Sequence, residues 1–180
     1  PMTDPRAQGQ IVFGALFAVL VAAVIFLRLL PLGTAPTPLP GPDLIICLVI
    51  AWCVRRPDLM PVALLVPVLF LSDLLLMRPP GLYTALVLAV TEALRRRHAR
   101  LQTLSFMAEV AAFGALSAAV IAGHWLVLAL LAVDQPALPV LLTQAPVNAA
   151  VYPAVALFCH VVLGLRKRPA LATGTLGSRR

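Results

Sequence analysis

Long apolar runs, separated by short clusters of charge or proline, occupy most of the chain. Several of them approach or exceed the ~20 residues with which a helix crosses a bilayer. Six runs can be bounded, at 11–30, 43–54, 57–77, 82–94, 101–133 and 137–165. The pattern predicts an all-α polytopic membrane protein, with six transmembrane helices in a single domain over 1–165. A basic tail, 166–180, follows and is predicted to be cytoplasmic and disordered.

The second run is too short for an ordinary membrane span. Its twelve residues would form a helix of about 18 Å, against a hydrocarbon core of ~30 Å. The preceding segment, "PLGTAPTPLPGP", is too rich in proline to extend that helix. Irregular backbone facing lipid is not viable. We therefore expect either a short helix completed by extended chain packed against protein, or a locally thinned bilayer. Asp43 is expected to cap the helix.

Composition supports the membrane class. The chain is 61% hydrophobic and only 12% charged, against about 45–50% and about 25% in soluble domains. The net charge of +7 does not indicate nucleic-acid binding, because basic residues collect in cytoplasmic loops of membrane proteins. With both termini placed inside, twelve of the fourteen basic residues are cytoplasmic, and the exceptions are Arg28 and Arg78.

No known catalytic or cofactor motif is visible. The three cysteines lie in apolar runs and are odd in number, which does not suit a disulfide framework. The three histidines are scattered and lack zinc-site spacing. The chain contains no G-x-S-x-G, no H-E-x-x-H and no phosphate-binding glycine loop. We expect no enzymatic activity, no cofactor and no metal.

Asp73 is an acid within a leucine-rich run, "FLSDLLLMRPPG". The six-span topology places it about 6 Å inside the outer boundary of the membrane, at the depth of Arg28 and Arg78. A carboxylate at that depth requires a partner or water. A structural ion pair with Arg28 or Arg78 is the favoured interpretation. Contact with a partner protein, and proton or substrate chemistry, are the alternatives.

Further polar positions lie on the last two runs. Glu109 and His160 share a depth near the inner side, so a hydrogen bond between them is one expectation. The alternative is a glutamate that extends toward the basic cytoplasmic rim. Gln144, Asn148 and Tyr152 recur every fourth residue and form one stripe, expected to make interhelical hydrogen bonds or to bind a ligand or partner. Small residues on the fifth run, among them Gly114, indicate close helix packing.

The order of features from Asp43 to His160 resembles the MreD family, the small integral membrane component of the bacterial rod-shape system, or elongasome. In that family a span opens near an "RP" pair and ends in an acid within leucines, and a proline-glycine turn then leads into the next span. Arg56-Pro57, Asp73 and Pro80-Gly81-Leu82 match this order. Asn148 and Pro153 resemble an asparagine and proline of the family's last span. Arg78 departs from the pattern, since small residues usually precede the proline.

The resemblance implies a non-enzymatic scaffold, multi-pass in the bacterial inner membrane, that supports lateral peptidoglycan synthesis and cell shape. The partners it implies are MreC directly, the transpeptidase and the RodA glycosyltransferase of the elongasome, MreB filaments and membrane lipids. The family is also distantly similar to substrate-binding subunits of energy-coupling-factor vitamin transporters. That function is the alternative, and it predicts a polar pocket near Arg28, Asp73, Gln144 and Asn148.

Overall fold

The computed structural model describes residues 5–30 and 41–165, with side chains from Gly9 onward, and this part of the chain is helical without strands. The segment 31–40 and the tail 166–180, which the sequence predicts to be disordered, lie outside the described residues. The helices are α1 Pro5–Leu29, α2 Leu44–Arg55, α3 Val62–Leu75, α4 Leu82–Arg96, α5 His98–Thr103, α6 Phe106–Leu130, α7 Leu138–Leu142 and α8 Gln144–Val161, with a 3-10 turn at Pro57–Leu59.

Successive long helices run in alternate directions, as contacts at the two ends of the bundle show. At one end, Arg28 of α1 donates to the carbonyl of Pro42 before α2, and Gln144 at the start of α8 donates to Gly41 O at 2.9 Å. At the other end, Gln102 of α5 donates to Val54 O of α2 at 2.8 Å. These two ends are called the Asp43 end and the Arg55 end below.

Helix α2 is enclosed by the rest of the protein. Every residue from Ile45 to Arg55 is buried, and the helix packs mainly against α8 and α4. Asp43 caps it, accepting a hydrogen bond from Ile45 N at 3.2 Å, as the sequence predicted. Trp52 meets the ring of Phe17 on α1 edge-on, with 5.4 Å between ring centroids. The short second run is therefore a buried helix surrounded by protein. Most of the proline-rich segment expected to complete it lies outside the described residues.

Helices α6 and α8 pack closely against each other. A Cβ atom built on Gly114 of α6 would lie 3.4 Å from the Cβ of Ala149 on α8. One turn away, the rings of Phe113 and Tyr152 stack with centroids 4.2 Å apart. The small residue at position 114 thus lets the two backbones approach, as small-residue spacing in membrane helices does.

Three helical segments are long and apolar enough to cross a membrane, namely Gly9–Leu29, Phe106–Leu130 and Leu138–Val161. The last of these comprises α7 and α8 together. Helices α2 and α3 are apolar but shorter. The predicted third run begins with a 3-10 turn rather than a helix, and the fifth divides at Ser105 into α5 and α6. An all-α chain with several membrane-compatible helices supports the membrane class.

Candidate functional site

Asp73 caps the following helix. It is fully buried near the end of α3, and its Oδ2 accepts hydrogen bonds from Gly81 N at 3.1 Å, Thr84 N at 3.1 Å and Thr84 Oγ1 at 2.8 Å. Gly81 takes a positive φ of 86° in this turn, a conformation that glycine adopts without strain. The carboxylate thereby satisfies orphan amide groups at the start of α4 and holds α3 and α4 together.

The favoured ion pair of Asp73 with Arg28 or Arg78 is therefore wrong within the described part of the chain. Arg28 binds the Pro42 carbonyl, and Arg78 pairs with a different acid, Asp43, at 3.2 Å. The side-chain partners of Asp73 are instead the backbone N–H groups of Gly81 and Thr84 and the Thr84 hydroxyl. A charged acceptor of several N–H bonds needs no countercharge to be stabilised.

Asp43 is the centre of a second group of buried polar side chains, called the Asp43 cluster. Its Oδ2 accepts from Arg78 Nη2 at 3.2 Å and from the hydroxyl of Tyr83 at 2.9 Å. The guanidinium of Arg78 also lies over the Tyr83 ring, 4.2 Å from its centroid. The remaining members, Ser117 and Asn148, come from α6 and α8.

Asn148 connects three helices within the Asp43 cluster. Its Oδ1 accepts from the backbone N–H of Asp43 at 2.7 Å, and its Nδ2 donates to Ser117 Oγ at 2.7 Å. Only 1% of Asn148 is exposed. Asn148 thus makes interhelical hydrogen bonds of the kind expected for the stripe of Gln144, Asn148 and Tyr152.

A polar cavity of about 190 Å³ lies beside the Asp43 cluster. Its polar lining comes from the cluster members and from His124 and Gln144, and its apolar lining from Ile46, Val120, Ile121 and Leu141. The sequence predicts a pocket near Arg28, Asp73, Gln144 and Asn148, and this cavity agrees with that prediction only in part. Of those four residues, Gln144 and Asn148 line it, while Arg28 and Asp73 do not contribute to its lining.

The other buried polar group, called the Arg55 cluster, comprises Arg55, Glu109 and Tyr152. Glu109 Oε1 accepts from Arg55 Nη1 at 3.2 Å and from the Tyr152 hydroxyl at 2.6 Å. Arg55 and Glu109 are both almost completely enclosed, with 7% and 4% of their side chains exposed. Three helices, α2, α6 and α8, meet through these contacts.

The expected hydrogen bond between Glu109 and His160 is wrong, because His160 is exposed on the outer surface of α8. The alternative came closer to the observed contact. Arg55 belongs to the basic rim toward which Glu109 was expected to extend, but the pair is buried rather than solvated. The depth in the membrane predicted from the sequence did not reveal which helix faces Glu109.

A histidine lies outside the long helices at the Arg55 end. His98, in α5, is half-buried, and its Nε2 lies 3.1 Å from Gln102 Nε2. Gln102 also donates to Val54 O, so the two side chains connect α5 to the end of α2. Burial lowers the pKa of His98 below its ordinary value of 6.5, and the negative charge of Asp58 opposes this shift. His98 is therefore neutral at pH 7 and can accept from Gln102.

Several of the central residues were not singled out as site residues from the sequence. Asp43 was assigned only a capping role, and Arg55 only a place in the cytoplasmic charge count. Tyr83, Thr84 and Ser117 gave no site signal because hydroxyl residues are common in membrane helices. The one available signal was the position of Asp43 at the same predicted depth as Arg78.

The chemistry of both clusters is that of interhelical attachment. Each acid is held by donors from another segment, and the donors come from α2, α4, α8 and the turn before α4. Within 5–30 and 41–165, no group of three potential metal ligands occurs. No protein-family model matches the chain, and searches of curated proteins and of solved structures likewise give no match.

Proposed function

We propose that this protein is a non-enzymatic scaffold of the bacterial rod-shape complex, embedded in the inner membrane and bound to MreC. The observation behind this proposal is that the residues carrying the MreD resemblance have architectural positions. Asp73 and Gly81 form the junction of α3 and α4, and Asn148 ties α8 to α2 and α6. Such positions hold the helices in a fixed bundle, which is what a scaffold presents to its partners.

The proposal includes six membrane-crossing segments, formed by α1, α2, α3, α4, α6 and α7–α8, with both termini cytoplasmic. The alternating helix directions support it. The distribution of arginines also supports it. Apart from those in α1 and in the two clusters, the described arginines all lie at the Arg55 end, at positions 56, 95, 96, 97 and 100. By the positive-inside rule this end faces the cytoplasm, and the Asp43 end faces outward.

The exposed surface also suits a membrane scaffold. Large apolar side chains cover the outward faces of α1, α3 and α6, including Phe26, Phe70 and Leu126. Such continuous apolar area is excluded from water, and it can face lipid or the transmembrane helix of a partner. On this proposal MreC occupies part of that surface, and the transpeptidase, RodA and MreB filaments associate through the assembled complex.

Depletion in the native host tests the proposed role directly. Rod-shaped cells that lose this protein should become round, and expression of the wild-type chain should restore the rod shape. Single cysteines introduced at Asp134 and at Arg97 test the topology in the same cells, since a membrane-impermeant maleimide should label only the first in intact cells. Unchanged cell shape on depletion would remove the rod-shape assignment, whatever the labelling result.

The cavity beside the Asp43 cluster favours a second candidate function, a vitamin-binding subunit of an energy-coupling-factor transporter. Its volume of about 190 Å³ is below the ~300–1,000 Å³ of ordinary small-molecule sites, which makes this candidate the weaker one. A saturable rise in melting temperature with a water-soluble vitamin would support it. A flat response across a panel of vitamins would leave the scaffold as the better account.

A further inference from the structure

Two hydrogen-bond donors near the cavity have no protein acceptor. Arg78 uses Nη2 on Asp43, whereas its Nη1 is buried and finds no partner in the described part of the chain. Nε2 of His124, on α6, is likewise buried without a partner among the described residues, and it is a donor when the ring takes the Nε2–H tautomer. Both residues line the same cavity. An unsatisfied buried donor is destabilising, and an acceptor group bound in the cavity would relieve that cost.

The buried acceptors of Asp43 and Asn148 at the cavity are already in use. Asp43 Oδ1 accepts from Ile45 N, and Oδ2 accepts from both Arg78 and Tyr83. Asn148 Oδ1 accepts from Asp43 N. A cation would therefore find its best ligands committed, whereas an anion would find a guanidinium N–H and an imidazole N–H available. With Asp43 and Arg78 compensating each other, the lining has no excess negative charge to repel it.

We propose that this cavity binds a singly charged oxyanion group, a carboxylate or a phosphodiester, held by Arg78 Nη1 and by His124 in its Nε2–H tautomer. Guanidinium groups form their strongest hydrogen bonds with such oxygens. A single charge suits the site because Asp43 lies in the same wall and would repel a dianion. The volume of about 190 Å³ admits a small acid or the charged part of a lipid headgroup. This site is independent of the proposed scaffold role.

Melting of the purified full-length chain in detergent provides the test. Sodium propionate and dimethyl phosphate are the probes, and sodium chloride at equal ionic strength is the control. At a probe concentration ten times its dissociation constant, binding should raise the melting temperature by about 3 °C or more. A response to propionate identifies a small acid. Phospholipid retained in native mass spectra, and displaced by dimethyl phosphate, identifies a headgroup.

Matched variants separate the cavity from general salt effects. Ile121→Phe fills the cavity without changing a polar group, and His124→Leu removes one donor. Both should lose at least nine-tenths of the probe response, whereas Leu126→Phe, on the exposed face of the same helix, should keep it. Arg78 variants are not used, because removing Arg78 would leave Asp43 buried without its cation and would destabilise the protein itself. Equal responses to probes and chloride, or an undiminished response in a folded Ile121→Phe variant, would overturn the proposal.

Discussion

At the scale of single residues, burial decides what each acid does. Asp73, Asp43 and Glu109 are all at least 95% buried, and their partners are of two kinds. Asp73 binds backbone and hydroxyl donors. Asp43 and Glu109 each bind an arginine and a tyrosine, Arg78 with Tyr83 and Arg55 with Tyr152. The sequence predicted that Asp73 and Glu109 need partners, because charge in a bilayer is costly. It did not identify those partners, since that requires the rotation of each helix.

Replacing Asp73 should destabilise the protein. Asp73→Leu removes the acceptor of three hydrogen bonds and leaves buried donors without a partner, which costs about 1–3 kcal/mol. Asp73→Asn should be milder, because the amide oxygen can still accept at the start of α4. Thermal unfolding in detergent measures both. The exposed acid Asp134 provides the matched control, and Asp134→Leu should melt like the wild type.

The same variants distinguish the capping role from a partner contact. Asp73→Leu could have the same melting temperature as Asp134→Leu and the wild type but no longer retain MreC. In that case the cap does not stabilise the protein, and Asp73 contacts the partner. If Asp73→Leu has a lower melting temperature than both, the capping role is enough to explain the presence of Asp73.

The Arg55 cluster should show strong coupling between its two charges. Arg55→Met or Glu109→Gln alone leaves a buried charge without its counterpart, and each should cost about 3–5 kcal/mol. The double variant should cost clearly less than the sum of the two, because no uncompensated charge remains. A double-mutant cycle in denaturant or heat measures this difference. Glu92→Gln paired with Arg96→Gln, an exposed i,i+4 pair, is the control and should show little coupling. Additive losses in the Arg55 cycle would refute the pairing.

His98 should make the Arg55 end sensitive to acid. Because burial holds the pKa of His98 below 6.5, the unfolded chain binds the proton more readily than the folded chain does. Neutral His98 therefore makes its full contribution to the free energy of unfolding above pH 6.5, and this contribution falls as the pH decreases below that value. Protonation would also abolish acceptance from Gln102. Melting temperatures between pH 8 and pH 5 should fall more steeply for the wild type than for His98→Gln. Parallel curves would contradict this assignment.

At the scale of helices, the hydrophobic pattern predicted elements better than it predicted their ends. All six apolar runs contain a helix, but α3 starts at Val62, five residues after the predicted beginning, because Pro57 and Pro61 interrupt the helix. The fifth run divides where Ser105 caps α6, accepting from Ala108 N at 3.3 Å. Such boundaries depend on caps and prolines, which hydrophobicity alone does not report.

Packing of α6 against α8 should depend on the size of residue 114. Gly114→Ala should be nearly neutral, because its Cβ would meet Ala149 at about van der Waals distance. Gly114→Leu should force the helices apart and cost about 1–3 kcal/mol. Ala115→Leu places the same side chain on the exposed face of α6 and should be tolerated. Melting temperatures of the three purified variants provide the measurement. Equal effects of Gly114→Leu and Ala115→Leu would show that α6 and α8 are not closely packed at this point.

At the scale of the whole molecule, the account rests on a buried central helix and two polar clusters at opposite ends. Helix α2 is enclosed by the longer helices, and the clusters attach it to α4 and α8 at the Asp43 end and to α6 at the Arg55 end. The sequence predicted a short second helix, with either extended chain packed against protein or a thinned bilayer to make up the missing length. It did not predict that this helix would be the core of the bundle. A fixed bundle with a broad apolar surface is a suitable platform for a partner's membrane helix.

The direct test of the scaffold is recovery of MreC with the tagged protein, expressed at native level in its own host and purified in mild detergent. Quantitative mass spectrometry should find MreC close to one copy per copy of this protein, retained with the exposed control Asp134→Leu. An untagged strain measures the background. MreC at the level of that background, from a preparation in which the tagged protein is intact and monodisperse, would contradict the account.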